Sequence, residues 1–360
     1  MTGTVSIGLG FASLGASQQL PLADDVAEKI FEAALALNIT RFDTSPLYGG
    51  GQSEYRLGKL LKGQPRDSYI LSTKVGRYRP YGAVLADQRN NPTDIYDYSA
   101  DACLRSIEKS LERLGVDRFD IVYIHDCDRF VKEAVAGAFP ALCRLRDQGV
   151  IGRIGCASNT ASTHEAILNR VDLDVLMVAN SYSLLTQDAG ARLLPFCLRN
   201  NISVELAAPF NSGILATGPG DMTTTYRYAT PEPEILDRTR RIAAICDAYG
   251  VPLKRAALQY CARHPAVERL ILGLVEPDDL RCNMVDMQMK IPSELWADLA
   301  EIGVPDPIAI LEKSCRPGSQ NYAGRPVSKR NIQTASTAHE NQKEDVGNYA
   351  KLQQHPISGE

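Results

Sequence analysis

Residues 69–74 read Tyr-Ile-Leu-Ser-Thr-Lys and residues 120–125 read Asp-Ile-Val-Tyr-Ile-His, two short apolar and β-branched runs on either side of a helical segment. Within that segment, residues 99–114, apolar side chains recur at spacings of three and four from Leu104 to Leu114. This is the period of an amphipathic helix. The stretch therefore predicts a strand–helix–strand unit with parallel strands.

The same alternation of strand and helix runs along most of the chain. It predicts eight strands, at residues 6–10, 40–44, 69–74, 120–125, 152–157, 175–179, 202–206 and 270–273. Parallel strands of this kind form either an open doubly wound sheet or a closed barrel. Gly8, Gly10 and Gly15 do not have the G-x-G-x-x-G spacing that follows the first strand of a dinucleotide-binding open sheet. Eight repeats over roughly 300 residues favour an α/β fold of the (β/α)₈ TIM barrel type.

The composition limits the partners and the cellular setting. The chain has 360 residues and a formal net charge of −4, which argues against nucleic acid or an anionic membrane as a partner because both favour basic surfaces. No apolar run approaches the ~18 residues that span a bilayer. Residues 1–16 contain no Lys or Arg, so they lack the charged start of a signal peptide.

The cysteines point to the same setting. There are nine, an odd number, and no C-x-x-C pair occurs. This pattern suits reduced thiols in a cytoplasmic protein better than a disulfide framework or a metal site. Residues 315–360 are rich in Gln, Asn, Ser and Lys and poor in branched apolar residues. We expect a barrel over residues 1–314 followed by a flexible polar tail over 315–360.

Titratable side chains stand at successive predicted strand ends. The second strand ends at Asp43 with Tyr48 five residues later, the third ends at Lys74, and the fourth ends at His125. Each residue alone has an ordinary structural explanation, such as a helix cap, a core tyrosine or a lysine that reaches solvent. Together they predict one pocket, because the carboxyl ends of the strands in a TIM barrel meet at one face.

The chemistry of such a pocket is specific. A buried lysine beside a tyrosine favours the phenolate, so that Tyr48 could exchange a proton nearer neutral pH. Asp43 could offset the cost of burying Lys74. His125 could donate a hydrogen bond to a substrate oxygen and orient it.

In order and spacing, these motifs make the chain similar to the aldo-keto reductase family from about residue 6 to about residue 307. The matching residues are Phe42-Asp43-Thr44, Tyr48-Gly49, Ser53-Glu54, Thr73-Lys74, Ser110-Leu111, Arg113-Leu114-Gly115, Asp120, His125, Gly152-Arg153-Ile154-Gly155 and Ser158-Asn159.

The resemblance implies a barrel that binds a nicotinamide cofactor without a Rossmann domain. It implies a catalytic tetrad of Asp43, Tyr48, Lys74 and His125. Tyr48 would transfer the proton, Lys74 would modulate its pKa, Asp43 would pair with Lys74, and His125 would orient the substrate. No metal is implied.

The resemblance also implies where the cofactor lies. Ser158 and Asn159 would hold the nicotinamide carboxamide, and Asn283 would meet the adenine. Ala207 and Ala179 replace the family's usual stacking tyrosine and glutamine, so we expect Phe210 or Tyr182 to cover that face of the nicotinamide. The further expected contacts are Gly10, Phe11, Asn211, Gly213, Leu215, Gly273, Glu276 and Asp279.

The segment after the eighth strand departs from the family pattern. Gly273 and Leu274 stand where many members carry Lys-Ser, and Asp279 stands where they carry an arginine that clasps the 2′-phosphate of NADP. Glu276 and Asp279 would repel that phosphate, whereas an acidic side chain can accept a hydrogen bond from a ribose hydroxyl. The sequence therefore predicts NAD as cofactor over NADP, with Arg281 as the residue that could restore NADP binding.

Three stretches resemble the family branch that contains aldose 1-dehydrogenases and a pyridoxal 4-dehydrogenase: Asp120–Asp126, Tyr182–Leu185 with Gln187, and Phe210–Gly218. We therefore expect oxidation of an aldose at C1 to the lactone, with a sugar or aldehyde as the small-molecule partner. Arg77, Tyr81 and Asp126 are candidate substrate contacts, or else part of a solvated rim.

Three alternatives remain open. The same fold could oxidise pyridoxal or act on another alcohol or aldehyde. It could be an NADPH-dependent carbonyl reductase, or it could be a non-catalytic barrel that senses redox state within a complex. For the assembly, we expect a monomer or a weak homo-oligomer.

Overall fold

The computed structural model describes residues 5–15, 22–80, 93–220 and 224–308. Tyr81 and the predicted tail at 315–360 lie outside these residues, so those expectations stay predictions.

Eight parallel strands close into a barrel, as the sequence predicts. Around the barrel they follow their order in the chain, and each pairs in parallel with the next. They are β1 (Ser6–Gly10), β2 (Arg41–Asp43), β3 (Ile70–Val75), β6 (Phe119–His125), β7 (Ile151–Ser158), β8 (Val175–Ala179), β9 (Ser203–Ala207) and β10 (Val267–Leu272).

Helices surround the barrel and connect successive strands. They are α1 (Asp24–Ala36), α2 (Gln52–Leu61), α3 (Ala100–Leu114), α4 (Val131–Glu133), α5 (Phe139–Asp147), α6 (Ala161–Leu168), α7 (Leu193–Arg199), α8 (Ile214–Thr217), α9 (Pro233–Ala248), α10 (Leu253–Arg263), α11 (Pro277–Gln288) and α12 (Ser293–Glu301). A π-helical stretch, Ala134–Ala138, joins α4 to α5.

Local sequence signals set both ends of α3. The Ser99 hydroxyl accepts a hydrogen bond from the Ala102 amide at the start of α3, as an N-cap should. Gly115 ends the helix at φ 67°, a left-handed conformation that glycine adopts at little cost.

The structure adds one element that the periodicity did not reveal. A two-stranded antiparallel hairpin, β4 (Arg77–Tyr78) and β5 (Ile95–Tyr96), follows β3 at the carboxyl face of the barrel. Its strands are two residues long, too short to show alternation. Elsewhere the strand ends shift by a few residues, most at β10, which begins three residues before the predicted start.

The core lies mainly between the barrel and its helices, with a smaller apolar cluster inside the barrel around Ile121, Met177 and Ile271. No helix in the described part of the chain is long and apolar enough to cross a membrane. None of the eight cysteines within the described ranges forms a disulfide.

Candidate active site

The four residues of the predicted tetrad lie together at the carboxyl face of the barrel. Asp43 and Lys74 stand at the ends of β2 and β3 and are 2% and 1% exposed. His125 is the last residue of β6 and is also buried. Tyr48 lies in the loop after β2 and is partly buried.

Asp43 and Lys74 form a buried ion pair. Lys74 Nζ donates to Asp43 Oδ2 at 2.5 Å and to the carbonyl of Thr44 at 2.9 Å. The Ser72 hydroxyl donates to Asp43 Oδ1 at 2.5 Å. Burial lowers the pKa of Lys74, and the charge of Asp43 acts against this change. Because both charges are paired and hydrogen-bonded, they can be held away from water.

Tyr48 lies against both Lys74 and His125. Lys74 Nζ is 4.8 Å from the centroid of the Tyr48 ring, and the Tyr48 and His125 rings meet edge to face with centroids 6.2 Å apart. Burial raises the pKa of Tyr48 well above its usual range, Asp43 and Asp126 add to the rise, and Arg77 acts against it.

The raised pKa of Tyr48 runs against the expectation that Lys74 lets Tyr48 exchange its proton nearer neutral pH. Lys74 faces the ring of Tyr48, and its hydrogen bonds go to Asp43 and Thr44. Its charge is thus largely neutralised by Asp43. In this state Tyr48 is a phenol that can donate its proton.

His125 is neutral. Burial lowers its pKa well below the usual range, and the cations of Lys74 and Arg77 add to the effect. Nδ1 lies 3.4 Å from the Ser45 hydroxyl, and Nε2 lies 3.6 Å from Asp126 Oδ2. The Tyr98 hydroxyl donates to the backbone carbonyl of His125 at 2.6 Å and so fixes the end of β6.

The candidate substrate contacts Arg77 and Asp126 contact each other. Arg77 Nη1 donates to Asp126 Oδ2 at 2.5 Å, and its Nη2 donates to Asp94 Oδ2 at 2.7 Å. Arg77 is 6% exposed. It therefore holds Asp126 in place and does not lie on a solvated rim, and its contact with substrate stays a prediction.

Ser158 and Asn159, at the end of β7, are fixed by different partners. The Ser158 hydroxyl donates to Asp128 Oδ1 at 3.1 Å, and Asn159 Nδ2 donates to Asp126 Oδ1 at 3.3 Å. Asn180, after β8, donates to Asn159 Oδ1 at 2.8 Å. Asn180 was missed in the sequence because the expected glutamine position, Ala179, directly precedes it.

A loop over this row of amides was also missed. Residues 226–229 make a tight turn in which Arg227 and Tyr228 both have positive φ, at 50° and 65°. Arg227 Nη2 donates to the carbonyl of Asn180 at 2.5 Å. Burial raises the pKa of Tyr228, and the charges of Tyr48 and Asp126 add to the rise. Its sequence shows no turn signal, since neither residue is Gly, Asn or Asp.

The residues of this part of the chain that were expected to contact the cofactor differ in how deeply they are buried. Tyr182 is 1% exposed, and its ring stacks on Tyr260 at 5.4 Å, so it is a core residue and that expectation is wrong. Phe210 is partly exposed in the loop after β9. Asn211 is buried and accepts a hydrogen bond from Ser183 at 2.5 Å, and the Leu215 side chain is buried in the core.

The loops after β1 and β10 border two parts of the candidate site. The loop after β1 lies beside Asp43, and the loop after β10 leads into α11. Gly10 pairs in register with Asp43, and the Phe11 amide donates to the Asp43 carbonyl at 2.9 Å. A Cβ built on Gly213 or Gly273 would meet no atom within 4 Å, so both glycines border open space.

A cation that the sequence argument overlooked lies at α11. Lys254 Nζ, from α10, is 2.9 Å from Asp279 Oδ1 and 5.9 Å from the centroid of the Phe210 ring. Arg281 Nη1 is 3.9 Å from Asp278 Oδ1, and its side chain is 67% exposed. Glu276 is exposed at the N-cap of α11.

Asn283 gives an independent sign of a ligand. Its side-chain Nδ2 and Oδ1 are buried and make no hydrogen bond in the structure. A buried amide without partners is costly, and a polar ligand group would relieve that cost. Together with the open space at Gly213 and Gly273, this arrangement fits a nicotinamide dinucleotide. In the described ranges, no three His, Cys, Asp or Glu side chains cluster as metal ligands.

The chain is similar to known proteins over most of its length. The chain is 38% identical over 307 residues to D-threo-aldose 1-dehydrogenase from a Pseudomonas species, covering 82% of this chain and 93% of the relative. It is 35% identical over 324 residues to pyridoxal 4-dehydrogenase from Microbacterium luteolum, covering 83% and 94%. A solved aldo-keto reductase from Bacillus halodurans, in its holo form, superposes with a TM-score of 0.65 at 25% identity, covering 82% and 91%.

The sequence profile of the Aldo/keto reductase family matches residues 6–303, which contain the whole barrel and all four residues of the tetrad. The chain therefore belongs to the aldo-keto reductase family and is an NAD(P)-dependent oxidoreductase that acts on alcohols or aldehydes.

Proposed function

We propose that the protein oxidises the C1 hydroxyl of a cyclic aldose to the lactone, with NAD as the hydride acceptor. The observation that carries the proposal is the meeting of Tyr48 with a neutral His125 above the buried Asp43–Lys74 pair. The 38% identity to a D-threo-aldose 1-dehydrogenase supports the aldose as substrate.

Each side chain of the tetrad has its own role in the proposed reaction. A bound nicotinamide supplies the site that accepts the hydride. His125, being neutral, donates or accepts a single hydrogen bond and so orients the reacting hydroxyl without adding charge. Tyr48, as the phenolate, takes the hydroxyl proton at its phenolic oxygen and becomes the neutral phenol. The Lys74 ammonium stabilises the phenolate from which this transfer starts, and Asp43 holds Lys74 in place.

The substrate side of the pocket suits a polyhydroxylated ring. Asp126 presents a carboxylate next to His125, and Arg77 and Asn159 hold it in position. The Tyr228 ring, 39% exposed, offers an aromatic wall at the mouth. Sugars commonly bind between such groups, because a carboxylate accepts from hydroxyls while an aromatic face packs on C–H groups.

NAD is favoured over NADP by the charges around α11. Asp279 already neutralises Lys254, and Glu276 adds a second carboxylate in the same turn. A 2′-phosphate would have to displace Asp279 from Lys254 and lie against both carboxylates.

One observation favours a second function. The raised pKa of Tyr48 makes it a proton donor at neutral pH, which suits reduction of a carbonyl. Carbonyl reduction is therefore the alternative, and the test below includes NADPH as its hydride donor.

The deciding experiment follows reduced nicotinamide by absorbance with purified protein, in both directions. The panel contains NAD or NADP with several aldoses and pyridoxal, and NADH or NADPH with simple aldehydes. NADH formation with an aldose supports the proposal. NADPH consumption with aldehydes, and no oxidation of any aldose, would replace it with the alternative.

A further inference from the structure

A second layer of polar side chains lies inside the barrel below the tetrad. Side chains two residues apart on a strand face the same side, about 7 Å apart. Arg41 therefore lies below Asp43 on β2, and Tyr123 lies below His125 on β6. With Glu205 of β9 they form what we call the lower charge layer. All three are 2% exposed or less.

Hydrogen bonds join this layer into one unit. Arg41 Nε and Nη2 donate to Glu205 Oε1 and Oε2 at 2.8 and 2.5 Å, a two-pronged pair. The Tyr123 hydroxyl donates to Glu205 Oε2 at 2.7 Å. Arg269 Nη1 adds a second guanidinium at 2.8 Å from Oε1. The Glu205 carboxylate thus pairs with two guanidinium groups, and Arg269 Nη2 also lies 3.7 Å from Glu268 Oε1.

The strands make room for these side chains. A Cβ at Gly8 of β1 would lie 2.7 Å from Arg41 Cγ, and one at Gly155 of β7 would lie 2.6 Å from Tyr123 Cδ1. Even an alanine at either position would force these side chains to move. The lower charge layer is therefore built into the barrel at the expense of strand residues that favour β structure.

Stability alone is a poor explanation for the layer. Apolar residues of similar volume generally fill a core at least as well as a buried ion pair. Within the low-dielectric interior, charges one layer apart interact strongly. Burial lowers the pKa of Lys74, and the charge of Arg41 in the layer below acts in the same direction.

We propose that Arg41 and Glu205 are positioning residues that set the electrostatic potential beneath Asp43 and Lys74, and thereby how readily Tyr48 exchanges its proton. The inference rests on the proposed role of Tyr48. It predicts that changes in the two residues act in opposite directions.

The test compares the wild type with Glu205→Gln, Arg41→Gln and the double variant. Glu205→Gln removes the carboxylate paired with Arg41 and leaves Arg269 with Glu268 alone, so Tyr48 should lose its proton more easily. The pH profile of kcat/KM for oxidation should then shift downward by about one pH unit. In Arg41→Gln, Arg269 still neutralises part of the Glu205 charge. The profile should therefore shift upward, by less than the shift in Glu205→Gln. The double variant should return to the wild-type profile.

A second readout needs no substrate or cofactor. The ultraviolet tyrosinate absorbance of each protein, minus that of its Tyr48→Phe counterpart, is measured up to the highest pH at which both are folded and reports how readily Tyr48 ionises. The same order of the variants is expected at each alkaline pH. Circular dichroism shows which variants are folded, and if one single variant does not fold, the other and the double variant still give the comparison.

The outcomes separate the inference from the proposed function. Coincident Tyr48 titrations in all folded variants, or shifts of both single variants in one direction, would overturn the inference. A purely structural pair would lower the unfolding temperature without opposite shifts. If the wild type oxidises nothing in the panel, the proposed function fails, and the tyrosinate titration still decides the inference.

Discussion

The Lys74 ammonium lies 4.8 Å from the centre of the Tyr48 ring, but its hydrogen bonds go to Asp43 and the Thr44 carbonyl. Tyr48 is therefore packed against a cation that Asp43 has already neutralised. Burial then dominates, and the phenol is the stable form. As a phenol, Tyr48 can give a proton to a carbonyl, whereas the proposed oxidation of an alcohol needs Tyr48 as the phenolate.

Tyr48→Phe should abolish proton transfer while leaving cofactor binding intact. We expect turnover to fall by about 10²- to 10⁴-fold, the usual contribution of a general acid or base. The dissociation constant of NADH, measured by its fluorescence, should change less than about twofold, because the ring and its packing remain. Tyr55→Phe is the matched control, since Tyr55 is 53% exposed on α2. Near-normal turnover in Tyr48→Phe would refute the assigned role.

Oxidation and reduction should depend on pH in opposite ways. Because the pKa of Tyr48 is raised, the phenolate fraction at neutral pH is small and grows about tenfold per pH unit. The kcat/KM for oxidation should therefore rise from pH 7 to pH 9 without a plateau, and that for reduction should stay level. His125 should add no acidic limb near pH 6.5, because its pKa is far lower. Initial rates in buffers of constant ionic strength check this, and a plateau below pH 8 would contradict it.

Stability should fall on mild acidification because of buried neutral histidines. Burial lowers the pKa of His164 and of His264 to about 4. Below the unfolded value of about 6.5 the unfolded chain binds protons that the folded chain does not, so each histidine should cost about 1.4 kcal/mol per pH unit between about pH 6.5 and pH 4.

Urea unfolding at pH 7 and pH 5.5 measures this effect. In His164→Gln, the loss of unfolding free energy between the two pH values should be smaller by about 1 kcal/mol, whatever the variant's absolute stability. An unchanged pH difference would mean that His164 is protonated in the folded protein.

Removing Asp279 should increase the use of NADP. In Asp279→Ala, Lys254 loses its counter-charge and can pair with a 2′-phosphate, so the ratio of kcat/KM for NADP over NAD should rise by about tenfold. Arg281→Ala is the control, because that side chain is 67% exposed and should leave the ratio unchanged. If Arg281→Ala changes the ratio and Asp279→Ala does not, Arg281 is the residue that contacts the cofactor.

Truncating Tyr228 should affect ring-shaped substrates selectively. Tyr228→Ala should raise KM for a cyclic aldose by about 3- to 10-fold through lost packing, while Tyr228→Phe should retain most of the affinity. For a small open-chain aldehyde such as glyceraldehyde, neither variant should matter. Equal losses for both kinds of substrate would mean that Tyr228 supports the loop and does not contact the substrate.

The sequence by itself predicted the barrel and the grouping of the four tetrad residues at one of its faces. Both predictions depend on local patterns: short apolar and β-branched runs, amphipathic segments such as α3, and titratable residues at strand ends such as Lys74 and His125. Since the carboxyl ends of parallel strands meet at one face, placing a residue at a strand end also places it in the site.

Tertiary structure decided the rest, because contacts between residues distant in the chain leave no local signal. Glu205 is 164 positions from Arg41, and Lys254 is 25 from Asp279. Whether Lys74 is neutralised, whether Tyr182 faces the cofactor or the core, and which charges lie beneath the tetrad depend on how the closed barrel packs. The sequence shows which groups are present, and the packing determines their partners and therefore their protonation.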